Sequence, residues 1–324
     1  MRLGIVNVLH SIRESIAIAK ACEAAGFWGL GLGDTAPKLY NDAYATAGPC
    51  LMSTGRLNIG PIVTNTVTRH WSVLGATTRT FEELAPGRFF LGVATGDGAA
   101  HSVGLSPATW SQVERDIANL RSIGPDSLQI QVAASGPRGA ETAGRVASDL
   151  IIGTGLDAGA LRSLSDRARA ARSAAGITAP LRTWGFINTY IAPDQEAAEA
   201  ALRRQRGRAV ATARFSLGAT FEDKGVPEKW HYILRERLGR YDFASHGVGS
   251  GNPNGSLFDD VPEVLDYLLE RFLLVGPADD CVAKLRRVGA EAGLDGMWIL
   301  MSPVAPGESI ADRIRVAGDV FRDL

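Results

Sequence analysis

The segment Asn58–Asp97, NIGPIVTNTVTRHWSVLGATTRTFEELAPGRFFLGVATGD, constrains the fold of this chain more than any other stretch. It reads as a strand, a polar loop, a helix, a turn and a second strand. Each strand runs into small and hydroxylated residues: Val63-Thr64-Asn65-Thr66 after the first and Ala94-Thr95-Gly96-Asp97 after the second. In a parallel α/β fold such loops open on one edge, at the carboxyl ends of the strands, where ligands bind. One unit therefore proposes an architecture and a site together.

The same rhythm recurs along the chain. Arg2–Val8 is short, apolar and β-branched, and Ser11 with Glu14 has capping-box spacing for a helix ending at Gly26. Trp28–Gly33 is a second strand, ending at Asp34-Thr35; Asp42–Ser53 reads as a modest helix interrupted by Gly48-Pro49. Leu57–Val63 and Arg88–Ala94 follow, with a helix Trp71–Leu84 between them, and then a Gly/Ala/Ser-rich loop over Gly96–Pro107. A helix Ala108–Ile123 leads to the strand Ser127–Ala133, and a short helix Gly139–Ala147 leads to the strand Ser148–Ile152. The helix Asp157–Ala175, the strand Arg182–Ile191 and one long helix Asp194–Phe215 continue the pattern.

Over Gly218–Val261 the pattern breaks, and we read that stretch as an insertion over the site or at a subunit contact. Leu273–Val275 is too short to count as a strand. A helix Pro277–Ala292, a strand Gly296–Met301 and a helix Glu308–Asp323 close the chain. Eight strand-like segments, most followed by a helix, predict a single (β/α)₈ barrel over residues 1–324, with the insertion 218–261 ahead of the last βα unit. An open doubly wound sheet would want a G-x-G-x-x-G turn after the first strand, and Val6-Asn7-Val8-Leu9-His10 is nothing like it.

Charge and cysteine usage exclude several classes. A net charge of -1 gives no support for nucleic-acid partners. The 3 cysteines lie far apart with no C-x-x-C, which argues against a disulfide framework or structural zinc and fits a reducing cytoplasm. No apolar run reaches a membrane span, and MRLGIVNVLHSIRES has no apolar core or cleavage site of a signal peptide. The histidines form no H-x-x-x-H or H-E-x-x-H spacing, so no metal site is expected.

The strand ends supply the candidates. At the fourth, Thr95-Gly96-Asp97 offers backbone N–H groups and a carboxylate, as a ligand site or as an ordinary tight turn. Asp34 reads first as a loop anchor and second as a catalytic acid. His70 reads as a helix start, whereas His101, in the Gly/Ala loop, suits a substrate contact. Ala134-Ser135-Gly136-Pro137 precedes a helix and makes an anion site or a plain N-cap; Gly153-Thr154-Gly155 is a second such place. No P-loop lysine accompanies either. Trp110, Trp184 and Trp230 line a pocket or pack the core, the latter being commoner.

Together, Gly60-Pro61-Ile62-Val63-Thr64-Asn65, Thr68-Arg69-His70, Glu83-Leu84-Ala85-Pro86-Gly87-Arg88 and Thr95-Gly96-Asp97 resemble the bacterial-luciferase-like flavin oxidoreductase superfamily. The chain is most similar in pattern to the deazaflavin-dependent methylenetetrahydromethanopterin reductases. The similarity continues through Ala134–Pro137, Ser148-Asp149, Val275–Asp279 and Ser302-Pro303. The resemblance implies coenzyme F420 (8-hydroxy-5-deazaflavin) or FMN in the barrel mouth. It implies a non-prolyl cis peptide at Ile62–Val63 backing the ring, with Thr64 and Asn65 beside it. It assigns Thr95, Gly96, Ala134, Ser135, Gly136, Pro137, Gly153 and Thr154 to the cofactor and places Asp97 near the reactive ring. Thr35 stands where many deazaflavin-dependent relatives carry a histidine, and Asn7 where the reductases carry a glutamate of strand one. Asn7 is thus expected in the catalytic slot with Asp97 and Asp34, and Thr35 with His101 against a small-molecule substrate. A homodimer or homotetramer is expected on the same ground.

Overall fold

The computed structural model describes residues 1–8, 11–34, 41–245, 252–301 and 307–324. Thr35, expected against substrate, and Ser302-Pro303 lie outside the described residues. The order is β1 Arg2–Asn7, α1 Ile12–Ala24, β2 Gly29–Leu32, α2 Ala43–Met52, β3 Asn58–Pro61, α3 Trp71–Leu84, β4 Phe90–Val93, α4 Asp97–Ser102 and α5 Trp110–Ile123. Then come β5 Gln129–Ala134, α6 Pro137–Val146, β6 Asp149–Ile152, α7 Ala158–Ala174, β7 Arg182–Ile191, α8 Gln195–Arg204 and α9 Arg206–Leu217. The chain finishes with α10 His231–Gly239, α11 Pro262–Phe272, β8 Leu273–Gly276, α12 Ala278–Ala292, β9 Gly296–Met301 and α13 Ile310–Val320.

All strand pairs are parallel, in the order β3-β2-β1-β9-β7-β6-β5-β4. The ends of that path meet through bridges Ile59–Phe89 and Thr64–Val93, so eight strands form a nearly closed (β/α)₈ barrel. Leu3, Ile5, Leu30, Leu32, Ile59, Leu91, Ile130 and Leu150 face outward into the apolar layer shared with the helices. A separate cluster of Val6, Ile62, Phe90, Ile151, Trp184 and Trp298 fills the inside. Strands buried on both faces read as continuous apolar runs, as β2, β4 and β9 do. Among the described residues no helix is long and apolar enough to cross a membrane.

Four sequence expectations need correction. Leu273–Gly276 is a strand, β8, because the ten-residue β7 outruns β6 and leaves Asn188–Ile191 open for pairing. The expected helix Asp194–Phe215 is two, broken at Gln205, whose backbone N–H reaches the carbonyls of Ala201 and Leu202. The loop Gly96–Pro107 contains the short helix α4. Pro49 sits inside an unbroken α2, held by the Asp42 cap on Tyr44 and Ala45 and by a buried face of Tyr44, Ala47, Cys50 and Leu51. The described residues of 218–261 carry α10 and short turns, and α11 follows. With α9 these pack around a second apolar cluster that includes Leu217, Leu234, Leu238, Phe258, Leu268 and Phe272.

Candidate active site

The barrel floor is aromatic. Trp298 lies 5.5 Å from Trp184, 5.5 Å from Phe90 and 5.7 Å from Trp28, ring to ring, and its indole N–H donates to Gln131 at 3.1 Å. Strands β1 and β9 make room with glycine: a Cβ on Gly4 would fall 2.3 Å from Trp298, and one on Gly296 2.3 Å from Trp184. Above these rings the inward side chains shrink to Val6, Ile62 and Ile151. Half-buried Val63, Ala133, Phe186 and Leu300 pack against them. The bulk is therefore at the floor, and the carboxyl end of the barrel is lined by smaller groups. The Ile62–Val63 peptide at this end is cis.

At the tips of β2 and β3, Asp34 is buried and fully engaged. Thr64 Oγ1 donates to it at 2.6 Å, and Arg69 donates from Nε at 3.0 Å and from Nη2 at 3.2 Å. Arg69 also pairs with Asp42 and lies 4.5 Å from the centroid of the Tyr44 ring. Burial would lower the Arg69 pKa, but bonds to Asp34 and Asp42 outweigh it and hold the guanidinium charged. Burial, then the Asp34 charge, pushes the Tyr44 phenol upward. Asp34 thus joins β2, the β3 loop and α2; both its oxygens are occupied, which leaves it the anchoring part of its two expected roles.

Asn7 does not face the mouth. Alternation along β1 puts it with Leu3 and Ile5, toward α1, where its amide Nδ2 lies 3.5 Å from Ser15 Oγ. Val6 is the residue of that pair that points inside. Its expected catalytic placement is corrected by the pleat: successive side chains point to opposite faces.

The β4 tip brings candidates together. Gly96 caps α4 at φ 83°, and a Cβ there would fall 2.6 Å from the Asn65 side chain beneath it. Asn65 Oδ1 accepts from the N–H groups of Val67 and Thr68 at 3.0 and 2.8 Å, which fixes the β3 loop under the β4 turn. Thr95 holds the other end, its carbonyl accepting from Ala108 N–H at 2.9 Å. One helical turn then sets His101 Nε2 3.1 Å from Asp97 Oδ1, both partly exposed. The His101 ring lies 5.2 Å from Phe243, so residues after α10 reach the site. His70, by contrast, caps α3 and bonds Ser72.

At β5 and β6 the small residues form a recess. Gly136 caps α6 without a side-chain bond and Pro137 takes the first helical position, leaving first-turn N–H groups uncapped. Ala134 accepts from Gly153 N–H at 3.3 Å, and a Cβ on Gly153 would come 2.8 Å from Ser135 Oγ. Thr154 Oγ1, Asn65 Nδ2 and Thr66 Oγ1 are buried without partners. At the β5 and β6 tips, the unpartnered Thr154 hydroxyl, the uncapped α6 N–H groups and the close approach of Gly153 to Ser135 fit the hydroxyl- and phosphate-bearing tail of a flavin.

Sequence reasoning missed the residue that fixes this recess. Arg271, buried at the end of α11, donates to Thr154 O at 2.9 Å, to Lys224 O at 2.7 Å and to Tyr267 at 2.5 Å. Its own carbonyl accepts from Leu156 N–H at 2.8 Å. Its helical apolar neighbours, Leu268 and Phe272, were the available signal. Trp184 packs in the floor, Trp110 lies against Gly139, and Trp230 packs at a tilt against Tyr267.

Known proteins share this fold. Among solved structures, the coenzyme F420-dependent tetrahydromethanopterin reductase from Methanopyrus kandleri superposes with TM-score 0.75 at 16% identity, covering 98% of this chain and 97% of its own. An F420-dependent secondary alcohol dehydrogenase, solved with an F420-acetone adduct, gives 0.72 at 16% identity, covering 99% of each chain. A riboflavin lyase solved with modified FMN and riboflavin gives 0.68 at 17%, covering 100% of this chain and 91% of its own. The model of the luciferase-like monooxygenase family matches residues 4–115 and 108–296. With most of its length under that model, the chain belongs to the luciferase-like monooxygenase family, whose members are oxidoreductases and monooxygenases.

Proposed function

We propose that this protein is a flavin-dependent oxidoreductase that moves a hydride between coenzyme F420 and a small organic substrate. The Asp97–His101 pair carries the reading. Among the described titratable side chains at the tips of β2 to β6, Asp34 and Arg69 are locked to each other and His70 is spent on a helix cap. Asp97 and His101 are joined to each other and partly open. Reduced F420 supplies a hydride when bound. The chain's part is to place the ring, exclude water and manage one proton.

Ile62 and Val63 would back the ring, with Thr64 and Asn65 at its edge. Thr95-Gly96 would border it on the β4 side. Ala134–Pro137 with Gly153-Thr154 would hold the tail through the α6 N–H groups and the Ser135 and Thr154 hydroxyls. His101, its Nε2 held on Asp97, would through Nδ1 give a proton to or take one from the substrate heteroatom beside the carbon that changes oxidation state. Two neighbours of high coverage are F420 enzymes, which supports the deazaflavin. The family description favours a second reading, an FMN-dependent monooxygenase using dioxygen.

Titration with F420 and with FMN, read by fluorescence quenching, separates these from a protein that binds neither. We expect F420 to bind, S135A and G153V to weaken it about tenfold or more, and reduced F420 to be consumed without air once substrate is present. Binding of FMN alone, with reduced FMN turned over only in air, would favour the monooxygenase. Failure of both flavins to bind rejects the proposal.

A further inference from the structure

We infer that Arg214 and the aromatic cluster around Phe243 form a subsite for a carboxylate-bearing apolar substrate, near the Asp97–His101 pair. The inference names the substrate class of the proposed oxidoreductase and rests on that reading. Phe243 is its centre. His101 lies 5.2 Å from the Phe243 ring, and the Arg214 guanidinium carbon lies 5.1 Å from the same ring. Tyr241 at 5.3 Å and Phe215 at 6.3 Å continue the apolar wall. The cation and the proton-handling pair are therefore at most about 10 Å apart, the span of a small organic acid.

Three observations separate Arg214 from an ordinary helix-end arginine. It is half-buried and, among the described residues, makes no ion pair with a carboxylate, whereas Arg206 on the same helix pairs with Asp259. Gly218 leaves the space its guanidinium uses: a Cβ there would sit 2.5 Å from Arg214 Nη1. The helix that carries it, α9, is fixed to the barrel mouth, since the inward-facing Asn188 of β7 donates to Thr212 at 3.0 Å. Thr220, just beyond, comes to 3.6 Å from where a Gly136 Cβ would be, at the β5 tip. A guanidinium stacked on a ring keeps its edge N–H groups available, and those match a carboxylate in a bidentate fork.

The probe pair is benzoate and the uncharged benzamide, titrated calorimetrically into the protein with and without bound F420. We expect benzoate to bind more tightly than benzamide to the wild type. R214M should weaken benzoate about tenfold or more and leave benzamide unchanged, while R214K retains part of the preference. F243L should weaken both, and thermal unfolding of each variant reports its folding. A carboxylate on the cofactor tail is the other source of the same chemistry, so F420 affinity is measured for every variant. Loss of F420 affinity in R214M, with benzoate unaffected, overturns the inference. So does equal binding of benzoate and benzamide to the wild type. If neither flavin binds while benzoate still depends on Arg214, the redox proposal falls and the carboxylate subsite stands.

Discussion

Replacing Asp34 with asparagine tests whether the β2 tip is an anchor or an acid. The carboxylate accepts three hydrogen bonds, from Thr64 Oγ1 and from two Arg69 nitrogens, with its side chain 5% exposed and that of Arg69 26% exposed. Breaking a fully buried pair costs roughly 3–5 kcal/mol because it strands the partner. Arg69 keeps Asp42 and some solvent, so the expected loss is about 2–3 kcal/mol. At ~2.1 cal/mol/K per residue over 324 residues the unfolding entropy is ~0.7 kcal/mol/K, so Tm should fall by ~3–4 °C. Circular dichroism melts of D34N, R69Q and the double variant give the coupling, expected above about 1 kcal/mol. Because Asp34 holds Thr64, F420 affinity should fall with stability. If D34N melts at the wild-type temperature, binds F420 normally and yet loses turnover, the anchor account is wrong and Asp34 is the acid.

Other expectations rest on independent features. D97N should lower kcat about 10²-fold or more while the F420 dissociation constant stays within twofold of wild type; retained kcat would remove Asp97 from the chemistry. Burial pushes the Lys224 amine down to about 8, with Arg271 adding to the shift, and its Nζ donates to Ser216 O. The unfolded chain then holds more protons between pH ~8 and ~10.4, so the Lys224 contribution to stability rises across that window, by up to ~3 kcal/mol. Denaturant melts of wild type and K224M at pH 7 and 10 should diverge accordingly, and parallel curves would contradict it. G155A should destabilise by about 2 kcal/mol or more, since φ is 75° and the new Cβ would meet Arg271 O at 2.3 Å. Its F420 affinity should fall too, and an unchanged melt would mean that this turn tolerates a side chain.

Much of the barrel could be read from the chain because each βα unit is punctuated locally. Val63-Thr64-Asn65 and Ala94-Thr95-Gly96 announce strand ends by their own chemistry, whereas their part in a flavin site was implied by the resemblance alone. Facing was not legible in β1. Leu3 through Val6 are apolar or glycine throughout, so no alternation marks which side is inside, and Asn7 was placed by resemblance rather than by parity. β8 was missed for a related reason. A run of Leu-Leu-Val-Gly has too little local signal, and it pairs only because β7 offers a long-range edge. The partners of Arg271 are equally non-local: it bonds Thr154, 117 positions away.

That length of β7 also explains where the insertion sits. Its lower half pairs β6 and β9 as any barrel strand would, while Asn188–Ile191 rises past β6 and takes β8 on its free side. Asn188 turns inward on that raised part and fixes α9 through Thr212. At the other end of the insertion, Arg271 ties Lys224 to the β6 tip through Thr154. The roof is therefore pinned to two strands whose ends border the recess proposed for the flavin, and Phe243 reaches from it to His101. A roof held at both ends cannot shift without disturbing the recess. Substitutions in α9 that leave Asn188–Thr212 intact should alter substrate preference alone, whereas T212V should alter F420 affinity as well.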